Sequence, residues 1–166
     1  MSLMDKEIPL TQGKVAIVDE ADFGYLSQFK WCASKGKTTY YAMRSLVHNG
    51  KNTTIYMHRA IMNPPFDLQV DHRNMDGLDN RRANLRICTN SQNHMNAKKR
   101  GGHSSSYKGV SWRKARRKWR ARIMVNKTEE VLGSFDDERE AANAYNARAK
   151  ELFGEFAKLN IVEEQR

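Results

Sequence analysis

The chain has 166 residues and a net charge of +10, from 29 Lys and Arg against 19 Asp and Glu. That length holds one ordinary domain or two small ones, and no apolar run approaches the roughly 18 residues that a membrane-spanning helix needs. The first ten residues carry Asp5, Lys6 and Glu7 where a signal peptide needs an apolar stretch, and two cysteines, Cys32 and Cys88, exclude a disulfide framework and a four-cysteine zinc site, so the expected compartment is the reducing cytoplasm.

In chain order, residues 8–60 read as β-rich. Val15-Ala16-Ile17-Val18 is a short apolar run, and 39–43 and 53–57 carry β-branched and aromatic residues. Gly36 and His48-Asn49-Gly50-Lys51 punctuate them as turns. A helical turn is expected within 19–28, and Pro64-Pro65 closes the section. Residues 66–97 then read as strand, long polar loop, strand (85–88) and helix (91–97), with Thr89 or Asn90 as N-cap. Residues 98–106, KKRGGHSSS, are basic, rich in Gly and Ser and without apolar periodicity, which predicts a linker. Three strands follow, near 108–113, 118–125 and 130–135. A helix capped by Asp136 or Asp137 then runs to about Phe153 and stops at Gly154.

The positive charge is concentrated. Residues 98–127 hold 12 Lys and Arg and no Asp or Glu, while 128–166 hold 5 basic and 10 acidic residues. A polyanion is the natural partner, because each neutralised phosphate releases condensed counterions. In the middle strand Trp119, Ala121 and Ile123 share one face, and Lys118, Arg120 and Arg122 the other. The apolar face must lie on the helix, so the cationic face looks outward, extended by Arg113 and by Arg116-Arg117 in the turn.

Tyr107-Lys108-Gly109-Val110, Lys118-Trp119-Arg120-Ala121, Leu132-Gly133-Ser134-Phe135, Glu140-Ala141-Ala142-Asn143-Ala144-Tyr145 and Lys158-Leu159-Asn160 stand in the order of the plant apetala-two/ethylene-response-factor DNA-binding domain. The stretch 107–160 resembles that family. The resemblance implies a three-stranded sheet reading duplex DNA, with Lys108, Arg113, Lys118 and Ser134 at contact positions. Ser111, Met124 and Val131 depart from the plant pattern, so the plant domains' preferred DNA sequence does not carry over.

Residues 70–86, VDHRNMDGLDNRRANLR, form the second constellation, with Asn93 on the following helix. Hydrolysis of DNA needs a base that titrates near neutrality, and histidine does. It needs a divalent ion on the phosphate, which carboxylate and amide oxygens hold well. The base also needs an orienting hydrogen bond. Neighbouring strand residues point to opposite sides, so a bend is expected where Asp71 and His72 meet the loop. Asp76, Asp79 and Asn80 read as residues that hold the loop, and His58 as a packing or hydrogen-bonding residue.

This pattern resembles the His-Asn-His (HNH) nuclease motif across about 66–97. The resemblance implies a hairpin of two strands and a helix around one divalent metal ion, in which His72 is the general base, Asn84 orients it, and Asp71 and Asn93 are metal ligands. His94 and Asn96 are neighbouring alternatives to Asn93. An amide in place of the third histidine favours Mg²⁺, with Mn²⁺ the alternative.

The expected fold class is α+β. A β-rich segment leads into the metal hairpin within a nuclease domain at 1–97. The linker at 98–106 follows, then a small antiparallel sheet on one helix at 107–160 and a tail at 161–166. The expected activity is metal-dependent, site-specific (homing-type) DNA endonuclease, nicking double-stranded DNA in a bacterial or phage-infected cell, without a membrane. The alternatives are a non-catalytic DNA-binding regulator and an RNA-directed protein.

Overall fold

A computed structural model describes residues 5–96, 104–125 and 127–162. The chain forms two compact units, residues 1–93 and 94–166. The fold is mixed α+β, with four small antiparallel sheets and few helices among the described residues.

In the first unit β1 (Asp5–Pro9) pairs with β2 (Val15–Asp19), and α1 (Glu20–Leu26) follows. β1 escapes a propensity reading because only Ile8 of its five residues is buried. Its place at an edge also tolerates Pro9. β3 (Cys32–Lys35), β4 (Tyr40–His48) and β5 (Lys51–Tyr56) make a three-stranded sheet in that order. The Asn49-Gly50 turn joins β4 to β5, and both residues have positive φ, 49° and 70°. That is the pairing a two-residue hairpin turn demands. α2 (Met57–Met62) leads to β6 (Gln69–His72), which pairs with β7 (Leu85–Cys88). Val18, Leu26, Trp31, Ala42, Met57 and Leu85 are core residues that tie these elements together.

α3 (Asn90–Met95) opens with a capping box. Thr89 Oγ1 accepts from Gln92 N at 3.2 Å, and Gln92 Oε1 accepts from Thr89 N at 2.8 Å. The box sets the helix register and therefore where Asn93 falls.

In the second unit β8 (Val110–Arg113), β9 (Lys118–Val125) and β10 (Thr128–Phe135) form an antiparallel sheet with β9 central. α4 (Glu138–Phe153) is capped by Asp137, whose side chain accepts from Arg139 N and Glu140 N. Ala121 and Ile123 face the helix, where Ala141, Ala142 and Ala149 are buried and allow a close approach. Most of the expected linker, residues 97–103, lies outside the described residues.

Candidate active site

β6 and β7 are short, and the loop between them is held closed by its own side chains. Arg73 N donates to Asn84 O at 2.9 Å, and Met75 N to His72 O at 2.9 Å. Asn74 Oδ1 accepts from Asp76 N, and Asp76 Oδ1 accepts from Leu78 N. These side chains replace backbone partners in a segment too irregular to supply them. The loop also joins the sheet behind it: Ile17 N donates to Leu78 O at 2.9 Å, and Asn80 N to Ile17 O at 2.7 Å. Arg81 binds both Asp79 and Asp5, and Arg82 N donates to Asp19.

Each of the four residues singled out in the sequence is held by a different partner. Asp71 sits opposite Arg86 in the β6–β7 register, and both are buried. Arg86 Nη2 and Nε donate to Asp71 Oδ2 at 2.6 Å and 2.9 Å. Asn93 Nδ2 donates to Gln69 Oε1 at 2.6 Å. Gln69 lies two residues before Asp71, on the same face of β6, so Asn93 docks on the strand face that carries Asp71. Of the neighbouring alternatives, His94 is exposed and Asn96 is buried.

His72 is the last residue of β6, and the strand runs regularly through it. The expected bend therefore comes after His72, at the Arg73–Met75 turn. The His72 ring is buried against a cluster of rings from α2, β4 and β5. His58, from α2, lies with its ring centroid 5.1 Å away and nearly perpendicular. Tyr41, from β4, lies at 5.8 Å, and Tyr56 stacks on His58. Gly77 seats the loop against Tyr41: a Cβ there would lie 2.6 Å from the ring.

The expected role of Asn84 is corrected by its bonds. Its Oδ1 accepts from Asn74 N at 3.0 Å, and its Nδ2 donates to Asn74 Oδ1 and to Asp79 O. It closes the loop beneath His72 rather than binding the ring. Asn80, fully buried, is the amide whose Oδ1 faces His72 Nε2, at a long 3.5 Å. Its orientation is fixed because Asn80 Nδ2 donates to the Leu78 and Gly77 carbonyls. That contact favours the neutral tautomer with its hydrogen on Nε2 and its lone pair on Nδ1. Burial holds His72 below the ordinary imidazole value, against the Asn80 contact and the carboxylates of Asp71, Asp76 and Asp79, which pull it up.

Residues 62–95, which contain this hairpin, match the HNH endonuclease family. Over 152 residues, 92% of this chain and 78% of its relative, the chain is 31% identical to an uncharacterised HNH endonuclease of Acanthamoeba polyphaga mimivirus. The chain belongs to the HNH endonuclease family. This HNH endonuclease is also 31% identical over 95 residues to Protein 3.8 of Escherichia phage T7, across 57% of this chain and 78% of that one. It is thus a nuclease and a hydrolase, and the family implies DNA as substrate. Among the described residues no helix is long and apolar enough to cross a membrane.

HNH endonucleases generally use a divalent metal ion. Among the described residues no three His, Cys, Asp or Glu side chains converge as a cation site. What the hairpin offers is one carboxylate, Asp71, and one amide, Asn93, on the same strand face. Both donors are oxygens, and a small hard ion completes its shell with water and phosphate oxygens. The donor set therefore fits such an ion.

In the second unit Ala121 and Ile123 of β9 are buried, and Lys118, Arg120 and Arg122 alternate with them. Arg113, Arg116 and Arg117 are exposed. Arg120 and Arg122 both bind Glu129 on β10, Arg120 at 2.5 Å, and Lys118 binds Asp136 at 2.7 Å. Arg122, followed by Arg120, holds Glu129 below the usual carboxylate range. Ser134 is exposed opposite Arg120. Lys108 leaves the face: its Nζ donates to Met95 O at 2.8 Å, and burial with neighbouring Lys158 pulls it down to about 8. Trp119 packs on the core beside Trp112, ring centroids 5.1 Å apart.

Proposed function

We propose that this HNH endonuclease is a metal-dependent, homing-type DNA endonuclease that nicks duplex DNA at the β6–β7–α3 hairpin. The observation that carries the reading is the buried His72. Burial favours its neutral form, and the fixed Asn80 amide leaves its Nδ1 with the lone pair. A base in that state accepts a proton at neutral pH. His72 takes the proton from a water that attacks the scissile phosphorus. Asp71 and Asn93 would hold the ion, Mg²⁺ or Mn²⁺, with Gln69 and Arg86 orienting them. A divalent ion there supplies charge neutralisation at the phosphate and at the departing 3′ oxygen. The products carry 5′-phosphate and 3′-hydroxyl ends. One hairpin cuts one strand, so a double-strand break takes two events.

The second unit, in this reading, is an apetala-two-like docking module. Its support is the three-stranded sheet backed by one helix, with Arg113, Arg116, Arg117, Lys118, Arg120, Arg122 and Ser134 on the outer face and turn. Docking through this face raises the local DNA concentration at the hairpin.

The test is incubation of the full chain with supercoiled plasmid in Mg²⁺, in Mn²⁺ and in chelator. Nicked circles that form with metal and vanish with chelator are expected. Plasmid left intact in every divalent ion, though still bound, would leave a DNA-binding regulator in place of the enzyme.

A further inference from the structure

The nuclease unit has its own acid-free cationic stretch, separate from the basic sheet. Residues 23–66 contain six Lys and Arg and no Asp or Glu. Within it β4 and β5 form a ribbon that outgrows its sheet. β3 pairs with residues 40–43 of β4, and among the described residues the pairs beyond Met43–Tyr56 have no third strand. Every residue from Ser45 to Thr54 is exposed, including Val47 at 70%. An exposed two-stranded ribbon with apolar side chains at its tip is costly unless something covers it.

The two faces of the ribbon differ, because opposed residues share a face. Arg44 lies on one face, its guanidinium 4.0 Å over the Phe29 ring, so that face leads back to the core. The other face carries Tyr41, Met43 and Tyr56 at its root, then Ser45 opposite Thr54 and Val47 opposite Asn52. Tyr41 touches His72, and Tyr56 stacks on His58, which also touches His72. The ribbon face continuous with the His72 cluster therefore presents two hydroxyls, an amide and a branched methyl group. These groups suit the edges of bases: amide and hydroxyls pair with donors and acceptors, and an aliphatic side chain contacts the thymine methyl. Lys51 beside the tip turn, with no acid in the stretch, suits the phosphates flanking a groove.

We propose that the β4–β5 ribbon reads a groove of the duplex beside the scissile phosphate, through Ser45, Val47, Asn52 and Thr54, and so gives the nuclease unit its own sequence preference. The proposal rests on the DNA endonuclease reading for its substrate. The ribbon extends five residues beyond the Met43–Tyr56 pair, about 17 Å at roughly 3.3 Å per residue. A major groove about 12 Å wide admits a two-stranded ribbon. The bases read then lie within about five steps of the bond cut.

The experiment uses the full chain and a library of duplexes with random sequence. Duplexes retained by the protein in chelator are sequenced, and nick positions are mapped in parallel in Mg²⁺. The wild type is expected to show a preference within about five base pairs of the nick, on one side. Ser45→Ala with Asn52→Ala and Thr54→Ala should erase that preference and weaken retention about tenfold. Lys51→Ala should weaken binding of all sequences alike and lower the salt slope by about one. Exposed positions leave the fold intact, which circular dichroism checks. Variants that keep the wild-type preference and salt slope overturn the proposal, as does a wild type that retains no duplex. Failure to nick with a ribbon-dependent preference still present in chelator would refute the endonuclease reading alone.

Discussion

The Asp71–Arg86 pair makes the most quantitative demand. Both side chains are buried, with 6% and 7% exposure at the arginine and the carboxylate, and Arg86 Nε and Nη2 both donate to Asp71 Oδ2. Arg86→Met removes the cation while conserving apolar bulk, and leaves the Asp71 carboxylate buried without the guanidinium. Breaking such a pair from one side costs about 3–5 kcal/mol, a large share of the roughly 5–15 kcal/mol that stabilises a small domain. Adding Asp71→Leu to the same chain replaces the whole pair by apolar groups, and most of the loss should return. The assay is urea unfolding in chelator, read by amide hydrogen exchange in β6 and β7. Mg²⁺ should recover part of the Arg86→Met loss, because a cation held by Asp71 takes over the neutralising role. A single variant within 1 kcal/mol of wild type, or a double variant less stable than the single, would refute the reasoning.

Three further outcomes follow from the geometry. Burial, then neighbouring His72 and Arg59, push His58 down to about 3; the unfolded chain therefore binds a proton below about pH 6.5 that the fold refuses, and stability falls as pH drops from there toward 3. Going from pH 7 to 5 should cost about 2 kcal/mol more in wild type than in His58→Phe, and parallel unfolding curves at the two pH values would contradict this. Glu129→Gln releases Arg120 and Arg122 from their shared carboxylate, so duplex binding should tighten several-fold with a steeper salt dependence; unchanged binding would place the docking surface elsewhere. Gly77→Ala drives a methyl group into Tyr40 O and the Tyr41 ring, and should cost about 1–3 kcal/mol of stability and slow cleavage through displaced His72, both measurable on the purified variant.

Local pattern made some of this legible and left the rest hidden. The parity of β9 put Ala121 and Ile123 inside and the arginines outside, and Asp137 and Gly154 bound α4. The order of Asp71, His72, Asn84 and Asn93 resembles the HNH motif within the stretch that the family matches, and strand, loop and capped helix there each carry local signals. The surroundings of His72 come from α2, β4 and the loop, and contacts between distant segments leave no periodicity in a sequence. His58 and Tyr41 are therefore visible as residues but not as neighbours of His72. Asn80 reads as a loop residue, and its contact with His72 depends on a backbone path that composition does not encode. Glu129 carries a signal of its own: with Val125 opposite Thr128 and Met124 opposite Glu129, the register puts an acid diagonal to Arg122.

The central proposal is His72 as the proton acceptor. Its most direct test is single-turnover nicking of a plasmid by His72→Ala and by wild type, with DNA binding measured on the same preparations. Nicking in Mg²⁺ is expected to fall at least about a hundredfold while the dissociation constant stays within about twofold. Nicking at the wild-type rate by a folded His72→Ala protein would contradict it.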